Sequence, residues 1–137
     1  LVASALSEYG GKLTVTPLPG PSALISALSI SGWPVDRFTF FGFLPHKKGR
    51  QTMLKDLLDS SYPSVFYESK HRLAKCLREI IILKAKTGKR VDMILARELT
   101  KMFESIYRGS PEELLGLLEK DVDMQKGEFL VLIRKIK

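Results

Sequence analysis

The chain has 137 residues, 45% of them hydrophobic, and carries 22 Lys+Arg against 15 Asp+Glu for a net charge of +7. That length accommodates one core of ordinary size, and the longest purely apolar run, Ile80-Ile81-Ile82-Leu83, is far too short to span a bilayer, so no membrane partner is expected. The lone Cys76 forbids an internal disulfide and cannot complete a zinc site of ordinary spacing with His46 and His71; the expectation is a reducing, cytoplasmic setting without metal, and the basic charge favours a polyanionic partner.

Leu1 to Tyr9, followed by Gly10-Gly11, reads as the last turns of a helix with a glycine C-cap, and Lys12 to Thr16 reads as a short strand. The first sixteen residues are therefore expected to be the closing helix and strand of a unit that starts earlier. Pro17, Pro19 and Pro21 each remove a backbone donor and hold φ near −65°, which makes 17–21 a stiff extended connector. Gly20 is the point in it where the backbone is free to take a positive φ or approach a ligand. Ser22 then opens a helix to Ser31, stopped by Gly32 and Pro34.

Phe38 to Phe43 is aromatic enough for a strand, and His46-Lys47-Lys48-Gly49-Arg50 forms a basic loop into an amphipathic helix over Gln51 to Ser60. Ser64 to Tyr67 is a strand running into Glu68-Ser69-Lys70-His71-Arg72, from which a helix extends to about Lys86. Val91 to Ala96 reads as the central strand, with Arg97-Glu98-Leu99-Thr100-Lys101 at its carboxyl end. A strand over Phe103 to Tyr107, a capping box at Ser110-Pro111-Glu112-Glu113 with a helix to about Lys120, and a last strand over Glu128 to Ile136 complete the chain. The fold class is α/β, a mixed sheet of about five strands with helices packed on it.

Charged clusters abutting apolar strands point to a cleft, because charge is costly to bury unpaired; solvated loop ends with surface ion pairs are the plainer alternative. His71 is a candidate general base because imidazoles titrate near neutrality, and Glu98 and Glu104 are further candidates to fix a substrate or take a proton. Lys47, Lys48, Arg50, Lys70 and Arg72 lie in two strand-to-helix loops expected on one sheet edge, a phosphate-binding rim near Phe41, Phe43 and Tyr67. Neither a GxGxxG nor a Walker lysine loop is present.

In order, PLPGPSA (17–23), DRFTFFGFLP (36–45), VFYESKHRL (65–73), LARELTK with Glu104 (95–104) and KGEFLVLI (126–133) resemble the small-subunit ribosomal RNA (cytidine-2′-O)-methyltransferases of the tetrapyrrole methylase superfamily. The resemblance implies two α/β domains with S-adenosylmethionine folded between them, 1–16 being the remnant of the first domain and 17–137 the second. It further implies that Pro19, Gly20, Pro21 and Ser22 line the cofactor cleft, that Glu68 lies near the methionine part, and that Ala96, Arg97, Glu98 and Leu99 lie near the adenosine. Tyr67, His71 and Arg72 would face RNA, together with the basic residues Lys47, Lys48, Arg50 and Lys70 read above as the rim. The implied partners are 16S ribosomal RNA or the small subunit and the missing first domain, with a homodimer left open. A small-molecule tetrapyrrole methylase and a non-catalytic basic RNA-binding module are the rival readings.

Overall fold

The computed structural model describes residues 2–15, 19–121 and 127–136. After helix α1 (Val2–Tyr9) and a 3-10 turn (Gly10–Lys12) come α2 (Ala23–Ser29), β1 (Thr39–Phe43), α3 (Arg50–Asp59), β2 (Ser64–Ser69) and α4 (Lys70–Thr87). They are followed by β3 (Arg90–Arg97), β4 (Ser105–Gly109), α5 (Pro111–Lys120) and β5 (Glu128–Ile136). The strands form one sheet in the order β1-β2-β5-β3-β4, in which β1 and β2 are parallel and every other neighbouring pair is antiparallel.

The central strand is β5 rather than Val91 to Ala96. Among the described strands β5 has the longest uninterrupted apolar run, Phe129 to Ile133, and all five of those residues are buried. Such a run fits a position covered on both faces. Alternation then sorts the sheet into two layers. Phe66, Met93, Leu95, Phe129, Val131 and Ile133 face α3, α4 and α5, whose Leu54, Leu58, Leu73, Leu77, Ile80, Leu114 and Leu118 complete the larger core. Val65, Ile94, Ala96, Leu130 and Leu132 point the other way, where α2 contributes Ala27 and Leu28, with Leu24, Trp33 and Val35 at the margin. One face is sealed by three helices and the other only partly covered by one short one.

The helix ends follow local chemistry. α4 stops at Gly88, in the left-handed region at φ 65°, with Lys84 and Lys86 in its last turn suiting the negative end of the dipole. At the start of α5 the Ser110 hydroxyl accepts from Glu113 N–H while the Glu113 carboxylate accepts from Ser110 N–H, with Pro111 at the first helical position. The Ser110 hydroxyl also donates to that carboxylate, and these bonds hold the Glu113 carboxyl below the usual range.

Two expectations fail. Among the described residues Leu13 to Val15 pair with no strand, because an extended segment becomes a strand only beside a hydrogen-bonding neighbour; Thr16 to Leu18 lie outside the described residues. Of the two options open to Gly20, the positive φ is not the one taken. The fourth strand begins at Ser105 rather than Phe103, because a turn closed by Glu104 N–H donating to Lys101 C=O occupies the preceding residues and leaves Phe103 exposed.

Replacing Ser110 with Ala is expected to cost about 1 kcal/mol and lower Tm by a few degrees, whereas Ser110→Asp, which restores an acceptor, should recover most of that loss. Parallel thermal melts check it, and equal melting of both variants with the parent would show that the cap contributes nothing.

Candidate functional site

Because β1 and β2 are parallel, and β3 runs parallel to β2 through their shared antiparallel partner β5, the carboxyl ends of β1, β2 and β3 meet the start of β5 at one edge of the sheet. That edge holds a cavity of 840 Å³, within the range of about 300–1,000 Å³ typical of small-molecule sites. Ala96, Leu99 and Leu130 supply apolar wall, Ala23 closes one side from the start of α2, and Tyr67, Ser69 and His71 border the other. Pro19, Gly20, Pro21 and Ser22 are exposed just ahead of Ala23, with Ser22 capping α2 by accepting from Ile25 N–H.

The loop after β3 gives this cavity a fixed lip. Glu98 and Thr100 are non-glycine residues in the left-handed region, at φ 48° and 65°, a conformation that costs free energy and persists where surrounding bonds impose it. Those bonds are present. Glu98 N–H donates to Glu128 C=O at 3.0 Å, while its carboxylate accepts from Glu128 N–H at 2.7 Å. Lys101 Nζ bridges Glu98 and Glu128, and Thr100 N–H donates to Glu104 at 2.6 Å. Gly127 is required here, since a Cβ would stand 2.7 Å from the Glu98 side chain. The Glu128 N–H, reinforced by Lys101, holds the Glu98 carboxyl below its usual range. Glu104 spends one oxygen on Thr100, and Arg97 donates to Phe103 C=O. Lys126 lies outside the described residues.

Beneath the opposite face of the same edge is a buried ion cluster. Arg50 is 4% exposed and so is not on the basic rim. Its Nε donates to Glu79 at 2.7 Å, and its Nη1 donates to Glu68 and to Pro45 C=O, both at 3.2 Å. Arg72 pairs with Glu68 at 2.8 Å and donates to Leu44 C=O and to Ser69 Oγ, which commits it inward as well. The reason for both departures is the pair of carboxylates on the helix side of the sheet, Glu68 and Glu79, which would be untenable there without cations. Burial pulls the Arg50 pKa down, yet the bond to Glu79 and the surrounding negative charge raise it above its ordinary value. The Glu68 carboxylate has no solvent exposure, so what this residue offers the cavity is main chain rather than charge. Cys76 sits in the same layer, its thiol pushed up to about 12 by burial and then by the charge of Glu68.

The residues left on the rim are His46, Lys47 and Lys48 after β1, and Lys70 and His71 after β2, all exposed. Adjacent parallel strands bring the two loops together as expected. A second hollow of 710 Å³ lies between them, lined by Phe43, Leu44, Pro45, His46, Ser69, His71 and Arg72, and it shares Phe43, Ser69 and His71 with the first. Sequence reasoning missed Glu79, although it is the single acidic residue of α4 and lies on one helical stripe with Arg72 and Cys76, and it missed the contributions of Leu130 and Ala23. Among the described residues no group of three or more His, Cys, Asp or Glu is arranged to hold a metal, and no helix is long and apolar enough to cross a membrane.

The profile of a family described as Tetrapyrrole (Corrin/Porphyrin) Methylases matches residues 1–115. The chain is 42% identical over 123 residues to a Xylella fastidiosa protein named Ribosomal RNA small subunit methyltransferase I, covering 89% of this chain and 44% of that protein. Its likeness to the Escherichia coli O157:H7 protein of the same name is 43% over 122 residues, covering 88% and 42%. The chain thus spans less than half the length of these relatives. The crystal structure of the methyltransferase CobJ superposes with a TM-score of 0.60 at 19% identity, covering 98% of this chain and 57% of that one, which shows a shared fold.

Glu98→Gln keeps the shape and an acceptor but removes the charge. Because the folded pKa is depressed, the bonding is present above the ordinary glutamate value of about 4.3 and is lost as pH falls through the lower folded value. The Glu98 side-chain carboxyl carbon resonance is expected to titrate with a midpoint below about 4.3 in the parent, and the variant, whose residue 98 cannot titrate, identifies that resonance by its loss. A parent midpoint at or above the ordinary value would remove Glu98 as the anchor of the lip.

Proposed function

Because the chain belongs to the tetrapyrrole (corrin/porphyrin) methylase family, we propose that it is the carboxyl-terminal domain of an S-adenosylmethionine-dependent methyltransferase that 2′-O-methylates a cytidine ribose in 16S ribosomal RNA. The observation that carries this reading is a nucleoside-sized cavity opening directly beside a cationic rim, in a chain similar over most of its length to proteins named for small-subunit ribosomal RNA methylation. Residues 1–16 then belong to a first domain. Support comes from Val2, Tyr9 and Val15, each more than half exposed, apolar surface that finds no cover among the described residues.

The cavity fits the cofactor in size and character. Ala23 and Ala96 leave space where larger side chains would fill it, Leu99 and Leu130 offer apolar contact to a base, and the Glu98–Lys101–Glu128 lip supplies polar groups at the mouth. When bound, the cofactor supplies an electrophilic methyl group on a sulfonium, whose leaving group departs neutral. What this chain must add is alignment of the ribose hydroxyl and removal of its proton. Of the three candidates for that proton, Glu98 is tied to Glu128 and Lys101, and Glu104 is bonded to Thr100 outside the cavity wall. His71 stands exposed where the two hollows join and is the base assigned to the reaction.

The test is methyl transfer from labelled cofactor to small ribosomal subunits by the protein carrying this chain together with its first domain, with the product digested to nucleosides. Label in 2′-O-methylcytidine is the expected result. Label on a base, or on a tetrapyrrole instead of RNA, would overturn it. For the rim, Lys47→Ala with Lys48→Ala is expected to reduce the slope of log affinity against log salt by about 0.7 per lysine on single-stranded RNA. Filter-binding titrations from low to physiological salt check this, and an unchanged slope would make the loop a solvated surface.

A further inference from the structure

We propose that Phe43, seated on Tyr67, is a stacking platform for one unpaired nucleobase of the RNA, which enters through the groove between the β1–α3 loop and the β2–α4 corner. This rests on the RNA reading above and adds the form in which RNA is taken.

The platform is created by a backbone irregularity. Phe40 pairs with Val65 and Phe43 with Tyr67, so β1 spends three steps where β2 spends two, and the extra residue is accommodated at Gly42, with φ 63°. In a regular strand Phe40 and Phe43 would point to opposite faces. The bulge puts both against Tyr67, Phe40 edge-on at 5.5 Å and Phe43 tilted by 33° at 5.1 Å between ring centroids, while Phe41 turns to the larger core. Phe43 remains 66% exposed, so its ring is supported from one side without being covered. It borders both hollows, which gives a base lying on it a direct path from the groove to the cavity.

The surroundings select the ligand. None of the residues lining the groove is a carboxylate, the Glu68 charge being enclosed by Arg50 and Arg72, and the two loops that meet there carry the exposed His46, Lys47, Lys48, Lys70 and His71, which supply donors and, from the lysines, positive charge. A flat apolar face beside two lysine-bearing loops complements a base with its flanking phosphates. Duplex RNA keeps its base faces stacked, so the occupant is an unpaired or extruded nucleotide.

The protein carrying this chain together with its first domain is titrated with a single-stranded oligoribonucleotide carrying one 2-aminopurine, with the same oligonucleotide abasic at that position, and with its duplex. Quenching of 2-aminopurine is expected on binding. Phe43→Ala, an exposed position whose truncation opens no core, should weaken binding of the intact strand by about tenfold, abolish the quench and leave the salt slope unchanged, while Phe43→Trp retains both affinity and quench. The abasic strand should bind the parent and Phe43→Ala alike. Phe43→Ala that binds and quenches as the parent does, or equal affinity of the parent for duplex and single strand, would overturn the stacking platform while leaving RNA binding through the lysines in place. Absence of binding to every RNA by the parent would overturn the RNA reading together with it.

Discussion

Two buried charges, Arg50 and Glu68, and two largely buried ones, Arg72 and Glu79, hold the working edge of this domain together. Isolated, each would carry a desolvation penalty of several kcal/mol; assembled two against two, they neutralise one another and join the start of α3, the end of β2 and two turns of α4. Because Arg50 also binds Pro45 C=O and Arg72 binds Leu44 C=O, the same cluster fixes the segment that leaves β1. The positions of both loops that bear the exposed lysines and histidines are thus set from underneath. What faces the solvent is free to be chosen for binding, since the fold does not draw on it.

The second constraint is the unequal covering of the sheet. Three helices over one face supply most of the core, while α2 alone lies on the other and stops short of the strand ends. A single long helix there would have filled the cavity. Instead Ala96 and Leu130, core residues of ordinary sheet alternation packed with α2, also form the cavity wall at the strand ends that α2 does not reach. The lip across that opening is held where Glu98 N–H donates to Glu128 C=O, continuing the β3–β5 ladder one residue beyond its last strand pair, Arg97 with Phe129, and where the Glu98 carboxylate accepts from Glu128 N–H.

Much of this was legible in the amino-acid order. The apolar period of α4, the reciprocal cap at Ser110 and Glu113 and the unbroken run of β5 are short-range signals, and the structure reproduces them with boundary shifts of one or two residues. The motifs that carry the family resemblance did the same for fold. What the order concealed were consequences of pairing between distant segments. Arg50 looks like part of a basic loop until Glu79, 29 residues on, is found beside it. Leu13 to Val15 have strand-like composition, yet composition cannot supply a neighbour to bond with. Phe41, Phe43 and Tyr67 could all be placed near the rim from the order, but which of them faces outward depends on the extra residue accommodated at Gly42, which leaves Phe43 exposed and turns Phe41 to the core.

Cys76 is the single thiol of the chain, sealed within the layer between α4 and the sheet, with a pKa pushed up to about 12. Only thiolate reacts appreciably with an alkylating reagent, and here both the proton and the packing must be lost before it can. While α4 is seated the sulfur is chemically silent; once it lifts, the thiol returns to an ordinary acidity and labels quickly. The chain therefore carries its own clock for opening of the layer that holds the ion cluster. Modification kinetics followed by mass spectrometry would time that event without any substitution, in a residue that neither hollow uses.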